Sequence, residues 1–308
     1  MKLLVVGAGG IGGHIGGRLV EAGGDVTFLV RARRQAQLAQ DGLRIMSPLG
    51  DFASVVKTVT AADLTPDYDV ALLTCKSYDL EQAMADLGPA MTGRCAVLPM
   101  LNGMAHLDAL DQRFGAANVW GGTTAMNVTL DAAGTVRHVG AWARVAFGER
   151  GRDPSPTAAA LGELLARTKL KTELSPRIEQ DMWEKIVNLS ALAALTCLFR
   201  ANVGEILAAK GGPQAIDRVL ETNLAIATRE GFPPRPQALV ATDKMMREAG
   251  SGLTSSMLRD LEAGNRVEAD HIVGWMLAKA REHQLDDTML SVAYTHLSAY
   301  EQRRASGR

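Results

Sequence analysis

The 308-residue sequence predicts an α/β domain with a buried parallel sheet, followed by an all-helical domain. The first observation is the apolar run Leu3 to Val6, which leads directly into a glycine-rich turn and a helical pattern. The second is that strand-like runs and helical patterns alternate as far as Phe147. The third is that strand-like runs are absent after Lys171. We therefore predict a first domain over residues 1–174 and a second, helical domain over residues 175–308.

The glycine-rich turn predicts a dinucleotide site and makes the first domain Rossmann-like. A second strand, Asp25 to Val30, completes a βαβ unit around it. Gly7 would allow the tight turn, Gly9 the approach of a pyrophosphate, and Gly12 close packing of helix on strand. The pyrophosphate would lie on the helix N-terminus, where free N–H groups favour an anion. A tight turn without a ligand is the alternative. The predicted cofactor-binding residues of the turn are Gly7, Ala8, Gly9, Gly10, Ile11 and Gly12.

The residue that follows the second strand indicates which dinucleotide is bound. Sites that prefer NAD usually carry an acidic residue there, which binds the ribose 2′-hydroxyl. This chain has Arg31 instead, followed by Arg33 and Arg34. A guanidinium suits a 2′-phosphate, whereas a carboxylate would repel it. The sequence therefore predicts NADPH rather than NADH, with a solvated basic helix start as the alternative.

Polar side chains follow two further predicted strands. Lys76 comes directly after the strand Asp69 to Cys75, and Asn102 after the strand Ala96 to Leu101. Ligands of open α/β sheets bind at the carboxyl ends of the strands, so both side chains are expected near the cofactor. Each is otherwise an ordinary loop residue. Pro99 favours a position near an edge or at a bulge for the second of these strands.

Other segments complete the predicted sheet region. Leu43 to Met46 and Phe52 to Val59 are expected to form a hairpin. Val136 to Val139 and Arg144 to Phe147 are expected to pair antiparallel with each other as a closing element.

The composition excludes several classes of protein. Hydrophobic residues make up 47% of the chain and the net charge is −1, so no general attraction to nucleic acid or to an anionic membrane is expected. The three cysteines, Cys75, Cys95 and Cys197, show neither metal-ligand spacing nor a disulfide framework, and no secretory leader pattern is present. No uninterrupted apolar run reaches the ~18 residues of a membrane span. We expect a cytoplasmic protein without a metal.

The helical domain contains two ionisable residues of interest. A long apolar helix is predicted from Ile178 to Cys197, and it contains Lys185. On propensity alone such a lysine is more often exposed or snorkelling. Glu268 lies in Asn265-x-x-Glu268, which also matches a helix capping box. Further helices are predicted over about 213–230, 235–248, 256–263, 266–283 and 287–303.

Segments in both domains, in one order, resemble those of the ketopantoate reductase (2-dehydropantoate 2-reductase) family over essentially the whole chain. They are Gly7–Gly12, Arg31, Thr74–Ser77, Leu101–Met104, Trp183-x-Lys185, and Ser255–Asp260 with Glu268.

The resemblance implies a two-domain reductase that uses NADPH, has its active site between the domains and is commonly a homodimer. It implies that Lys185 is the general acid, and that Asn102, Ser256 and Glu268 hold substrate or cofactor. Lys76 and Asn127 match positions near the cofactor. The implied reaction is hydride transfer to a 2-oxo acid while Lys185 protonates the carbonyl oxygen.

One departure from the family pattern concerns the substrate. The family often carries asparagines four and eight residues after the lysine, where this chain has Leu189 and Ala193. Asn188 lies roughly 100° around the helix from Leu189 and does not simply replace them. A pocket without these amides is more apolar. The alternatives are therefore a related dehydrogenase that acts on a bulkier, more apolar ketone, or a non-enzymatic NADPH-sensing module, against which Lys185 and Glu268 argue.

Overall fold

A computed structural model describes residues 1–91 and 95–307. The chain separates into two compact units. The first comprises Met1–Leu101 and His106–Glu179, and the second comprises Asn102–Ala105 and the chain from Gln180 onward. The predicted division into domains 1–174 and 175–308 stays a prediction. Arg308, the last residue of the second predicted domain, lies outside the described residues.

Ten strands and twelve α-helices are present in the part of the chain that the structure describes. The strands are β1 (Lys2–Val6), β2 (Asp25–Leu29), β3 (Leu43–Met46), β4 (Phe52–Ser54), β5 (Lys57–Val59), β6 (Val70–Leu73), β7 (Ala96–Pro99), β8 (Gly121–Leu130), β9 (Thr135–Gly148) and β10 (Lys171–Leu174). The helices are α1 (Gly10–Glu21), α2 (Ala32–Asp41), α3 (Leu80–Leu87), α4 (His106–Phe114), α5 (Pro156–Ala166), α6 (Ile178–Phe199), α7 (Val203–Ala208), α8 (Gly212–Arg229), α9 (Pro236–Arg247), α10 (Ser256–Glu262), α11 (Trp275–Glu282) and α12 (Thr288–Ala305).

The first unit contains a five-stranded parallel sheet in the order β5-β2-β1-β6-β7. The strands β6 and β7 are buried at every position, which explains their uninterrupted apolar sequence. Because β7 lies at the edge of the sheet, the missing N–H of Pro99 is tolerated, and of the two predicted alternatives, an edge or a bulge, the edge is confirmed. The predicted α/β class with a helical C-terminal part is likewise confirmed.

A second sheet has the order β10-β9-β3-β4, with β8 paired to β9. The prediction of a single strand from Phe52 to Val59 was wrong. Only β4 pairs with β3 as a hairpin, whereas β5 joins the first sheet beside β2. Two neighbouring short strands with similar composition carry no local signal that they belong to different sheets.

The predicted antiparallel pair near residue 140 was also wrong. Residues 135–148 form one fourteen-residue strand, β9, which pairs antiparallel with β8. Gly140, Ala141 and Trp142 interrupt the register opposite Met126 and Asn127, so they form a bulge rather than a turn. Strand β10 was not predicted either. Its sequence is polar and partly exposed, so it carries no local strand signal, and it forms a strand by pairing with β9.

Helix α1 lies against both sheets, and its glycines make this possible. A Cβ atom on Gly16 would lie 2.6 Å from the ring of Phe28 in the first sheet. A Cβ atom on Gly17 would lie 2.5 Å from the side chain of Ile45 in the second sheet. Both distances are shorter than Cβ atoms tolerate, so a larger residue at either position would displace the Phe28 ring or the tip of the Ile45 side chain.

The helical unit contains the longest helix, α6, with 22 residues. Its length and mean hydropathy of 1.3 would suffice for a membrane span, but 67% of that apolar window is buried in the structure, as in the core helix of a globular protein. Arg235, at the start of α9, donates to Glu184 and Asp181 in the N-terminal half of α6. On another side of the helix, the ring of Trp183 stacks on that of Phe232, with the ring centroids 5.8 Å apart.

A fully buried arginine ties α1 to the loop after β3. The side chain of Arg18 is 0% exposed. Its guanidinium donates to Glu21 at 2.6 Å and to the carbonyl of Gly50 at 2.6 Å. Lys169 also donates to Glu21, at 2.5 Å. The charge of Arg18 is thus compensated by a carboxylate that two cations share.

We expect Arg18→Leu to lower the free energy of unfolding by about 2–4 kcal/mol, because it removes a buried charge-assisted network and leaves the Gly50 carbonyl without its donor. Urea denaturation measures this. Lys57→Leu is the control, since Lys57 pairs with Asp25 at 2.7 Å but is exposed, and such pairs contribute little. Equal stability of the two variants would contradict the role given to Arg18.

Candidate active site

The glycine turn has the geometry that a dinucleotide pyrophosphate needs. Gly7 adopts a φ of +97°, which a glycine accommodates without strain. A Cβ atom on Gly12 would lie 2.0 Å from the Gly7 carbonyl oxygen, so the helix can approach the turn this closely only with glycine. At Gly9, by contrast, no atom lies within 4 Å of a Cβ position, which leaves open space beside the backbone. Helix α1 has no acidic residue in its first turn. The turn therefore fits an anionic group at the helix N-terminus.

Thr74 supports the turn, a role that was not predicted from the sequence. It follows β6, and its Oγ1 lies 2.9 Å from the carbonyl oxygen of Val6 and 3.2 Å from that of Gly7. The hydroxyl therefore binds the backbone at the point where β1 ends. The signals in the sequence were its position at the carboxyl end of the neighbouring strand and its place in the segment Thr74–Ser77, which resembles the family.

The arginines after β2 have separate roles. Arg31 is exposed, and its guanidinium lies 3.1 Å from the carboxylate of Asp79. Arg34 instead donates to the Ala8 carbonyl at 3.2 Å and to the Gly134 carbonyl at 3.1 Å. Arg34 thus braces the glycine turn against the turn between β8 and β9, whereas Arg31 remains accessible to a ligand.

The other predicted cofactor residues of the first unit lie on its surface. Lys76 is exposed and follows β6 by three residues. Asn127 is exposed at the register shift of β8, and bulges of this kind often redirect a side chain near a site. The next residue, Val128, lies against the glycine turn, since a Cβ atom on Gly10 would be 3.0 Å from its carbonyl oxygen. The structure thus places the Asn127 segment beside the turn.

In the second unit, Lys185 and Asn102 are in direct contact. The ammonium of Lys185, on α6, donates to the side-chain oxygen of Asn102 at 3.0 Å. Burial lowers the pKa of Lys185 from 10.5 to about 8, while the negative charge of Glu268 opposes this shift. The lysine is therefore a cation that can release its proton near neutral pH, not a snorkelling surface residue.

Glu268 is buried, with 8% exposure, and directly precedes the helical segment that begins at Ala269. The capping-box alternative is wrong, because residues 265–268 are not helical and the helix begins only after Glu268. The segment Asp270–Gly274 is a π-helical turn, a rare conformation that occurs frequently at functional sites. It leads into α11.

The turn at Asn102 packs directly on this π-helical turn. Gly103 has a φ of +84°, and a Cβ atom there would lie 2.4 Å from the carbonyl oxygen of His271. Glycine at this position therefore lets the chain approach the π-helical backbone. The approach holds Asn102, the neighbour of Gly103, where Lys185 can donate to it.

Ser256 is the first residue of α10 and is partly exposed. Its neighbour Ser255 caps that helix by accepting a hydrogen bond from the Leu258 N–H. The assignment of Ser256 to the substrate stays a prediction.

Two apolar residues follow Lys185 along α6. Leu189 is partly buried and Ala193 is buried, with 1% exposure. They lie about one and two helical turns beyond Lys185, on the same side of the helix. A partly buried ammonium, an amide and a carboxylate beside an apolar helix side can hold a carbonyl oxygen and supply it with a proton.

We expect Gly103→Ala to lower the free energy of unfolding by more than about 2 kcal/mol, because it combines a positive φ with a clash against backbone. Gly231→Ala is the matched control. Gly231 has a φ of +90° but open space around its Cβ position, so a cost of about 1 kcal/mol is expected from the backbone alone. Chemical denaturation of both variants measures the difference, and similar losses would show that the contact with His271 is unimportant.

Comparison with known proteins identifies the family. The model of the ketopantoate reductase PanE/ApbA family matches residues 3–152, and that of its C-terminal region matches residues 177–301. The chain is 36% identical over 301 residues to the uncharacterized oxidoreductase YkpB of Bacillus subtilis (strain 168), covering 98% of this chain and 99% of that protein. It is 26% identical to a 2-dehydropantoate 2-reductase of Halobacterium salinarum, and the match covers 92% of this chain and 94% of that protein.

Solved structures show the same fold. A PanE/ApbA family ketopantoate reductase from Ralstonia eutropha JMP134 has a TM-score of 0.87 at 23% identity, covering 99% of this chain and 100% of that one. A D-mandelate dehydrogenase in complex with NADH and anilino(oxo)acetate also has a TM-score of 0.87, at 20% identity, with 99% of both chains covered. Two family models in the expected order, together with a relative that matches from end to end, show that the chain belongs to the ketopantoate reductase PanE/ApbA family of oxidoreductases.

Proposed function

We propose that this protein reduces a 2-oxo acid to the 2-hydroxy acid with NADPH, and that Lys185 is the general acid. The observation that carries the proposal is the contact between Lys185 and Asn102 at 3.0 Å, with the pKa of the lysine lowered to about 8. A general acid is most effective when its pKa lies near the working pH. The contact also disfavours a purely NADPH-sensing module, which needs no proton donor.

The cofactor would be held by residues of the glycine turn and by Arg31. The open backbone at Gly9 and the N-terminus of α1 suit the pyrophosphate, and the exposed guanidinium of Arg31 suits a 2′-phosphate. Lys76, Asn102 and Asn127 are the further candidates for contact with the cofactor. When bound, NADPH supplies the hydride of the reaction.

Lys185 would act on the oxygen of the substrate carbonyl. Its ammonium donates a hydrogen bond to that oxygen, polarises the carbonyl and transfers a proton as negative charge develops. Asn102 keeps the ammonium oriented through its side-chain oxygen. The charge of Glu268 favours the ammonium form, which burial disfavours, so the acid remains protonated at neutral pH. Glu268 would also accept a hydrogen bond from a substrate hydroxyl, and Ser256 would bind the substrate carboxylate.

The proposed substrate is 2-dehydropantoate or a close analogue. The family supports this assignment, as does the name of the Halobacterium salinarum relative, a 2-dehydropantoate 2-reductase. A second candidate, a bulkier and more apolar ketone, is favoured by Leu189 and Ala193, which offer no hydrogen bonds to a polar substrate. A homodimer, a cytoplasmic location and the absence of nucleic-acid or membrane partners remain predictions from the sequence.

We expect Lys185→Ala to lower kcat by about 10²–10⁴-fold, the usual contribution of a positioned proton donor, with NADPH affinity nearly unchanged. Lys185→Arg should remain severely impaired because a guanidinium does not release its proton readily. Steady-state NADPH oxidation with a panel of 2-oxo acids measures this, and Lys210→Ala, at an exposed position on the second unit, is the control. Near-normal turnover of both Lys185 variants would refute the mechanism.

The same assay tests the pH dependence. Because the ammonium form of Lys185 is the acid, the rate of reduction should be high below the pKa and should fall as pH rises through about 8. A profile that stays flat to pH 10 would show that Lys185 does not donate the proton.

The apolar residues of α6 decide between the two candidate substrates. We expect Leu189→Asn combined with Ala193→Asn to raise kcat/KM for 2-dehydropantoate relative to a bulky apolar 2-oxo acid, because amides on this side of the helix can hydrogen-bond polar groups of the substrate. The measurement is the ratio of the two kcat/KM values. If the unmodified protein already prefers 2-dehydropantoate strongly and the double variant loses that activity, the apolar residues serve another purpose.

A further inference from the structure

Arg31 is paired with an acidic residue that the family assignment does not explain. Its guanidinium lies 3.1 Å from the carboxylate of Asp79, and both side chains are exposed. Asp79 is the last residue of a short 3₁₀ turn, Ser77–Asp79, and directly precedes α3. Its side chain makes no hydrogen bond that caps α3, and its carboxylate is directed to Arg31.

The topology explains why these two residues meet. Arg31 follows β2 and Asp79 follows β6, and these strands flank β1 on its two sides. All three strands are parallel, so their carboxyl ends lie at one edge of the sheet, where the glycine turn leaves β1. The ion pair therefore lies at the same edge as the glycine turn, where the adenosine ribose of a dinucleotide is expected.

We propose that Asp79 is a cofactor-specificity residue, and that the Arg31–Asp79 pair allows the protein to use NADH as well as NADPH. The proposal rests on the proposed function and refines it. A guanidinium attracts a 2′-phosphate, while a carboxylate beside it repels that dianion. NAD-preferring sites bind the ribose 2′-hydroxyl with a carboxylate that follows the second strand, and Asp79 brings a carboxylate to the same edge from β6. The pair thus offers one partner to each cofactor and narrows the preference for NADPH that Arg31 alone would give.

The expected size of the effect follows from the exposure of the pair. The side chains of Arg31 and Asp79 are 71% and 41% exposed, so water and salt screen the interaction between the carboxylate and a bound phosphate. A several-fold change in relative affinity is therefore expected, well short of the loss that follows when a buried charge is removed.

The test is the ratio of the dissociation constants for NADH and NADPH, measured by isothermal titration without substrate. Asp79→Asn should raise this ratio about three- to tenfold at low ionic strength, and the increase should shrink in high salt. Glu81→Gln is the control, because it removes the same charge from an exposed position on α3, two residues away. The control should leave the ratio unchanged.

An unchanged or lower ratio in Asp79→Asn overturns the inference, as does an equal increase in the Glu81→Gln control. Arg31→Ala separates this result from a failure of the proposed function. If Arg31→Ala lowers the ratio but Asp79→Asn does not raise it, NADPH preference stands and only the role of Asp79 is refuted. If Arg31→Ala leaves the ratio unchanged, the proposed use of Arg31 to bind NADPH fails, and the role of Asp79 fails with it.

Discussion

The first unit depends on the close packing of α1 between its two sheets. Gly16 allows contact with Phe28 of one sheet and Gly17 with Ile45 of the other, at distances that leave no room for a side chain. Gly10 and Gly12 lie in the first turn of this same helix, so the contact that joins the sheets also fixes the glycine turn. Arg18, three residues after Ile15, anchors the other end of the helix through Gly50. The packing of α1 on the two sheets and the geometry of the glycine turn therefore depend on the same helix.

In the helical unit the central feature is electrostatic, because the ammonium of Lys185 is partly removed from water. Burial alone would favour neutral Lys185, and the charge of Glu268 opposes it, so the pKa remains at about 8 instead of falling further. Asn102 adds orientation through one hydrogen bond. Its position depends on Gly103, which lets the chain touch the π-helical backbone. Backbone geometry and electrostatics thus act together at one ammonium group.

The parts of the fold that the sequence predicts are those that a local residue pattern determines. The β1–α1–β2 unit, the edge position of β7 and the long helix α6 follow from apolar periodicity and from glycine and proline. The assignment of β5 to the first sheet, the bulge in β9 and the pairing of β10 depend on partners distant in sequence, which no local pattern reveals. The supporting contacts of Thr74 and Arg34, and the ion pair of Asp79, were missed for the same reason. Lys185 and Glu268 could be singled out only through the family resemblance, since a lone lysine or glutamate in a helix has no spacing signal.

The segment Asn102–Ala105 belongs to the second unit although the chain on both sides of it belongs to the first. The two units are therefore not consecutive blocks of sequence, and a gene fragment that begins at residue 180 lacks Asn102. Recombination between two family members at that junction would combine Asn102 of one parent with Lys185 of the other. Exchange of the helical unit between relatives would thus take the two partners of the Lys185–Asn102 hydrogen bond from different parents.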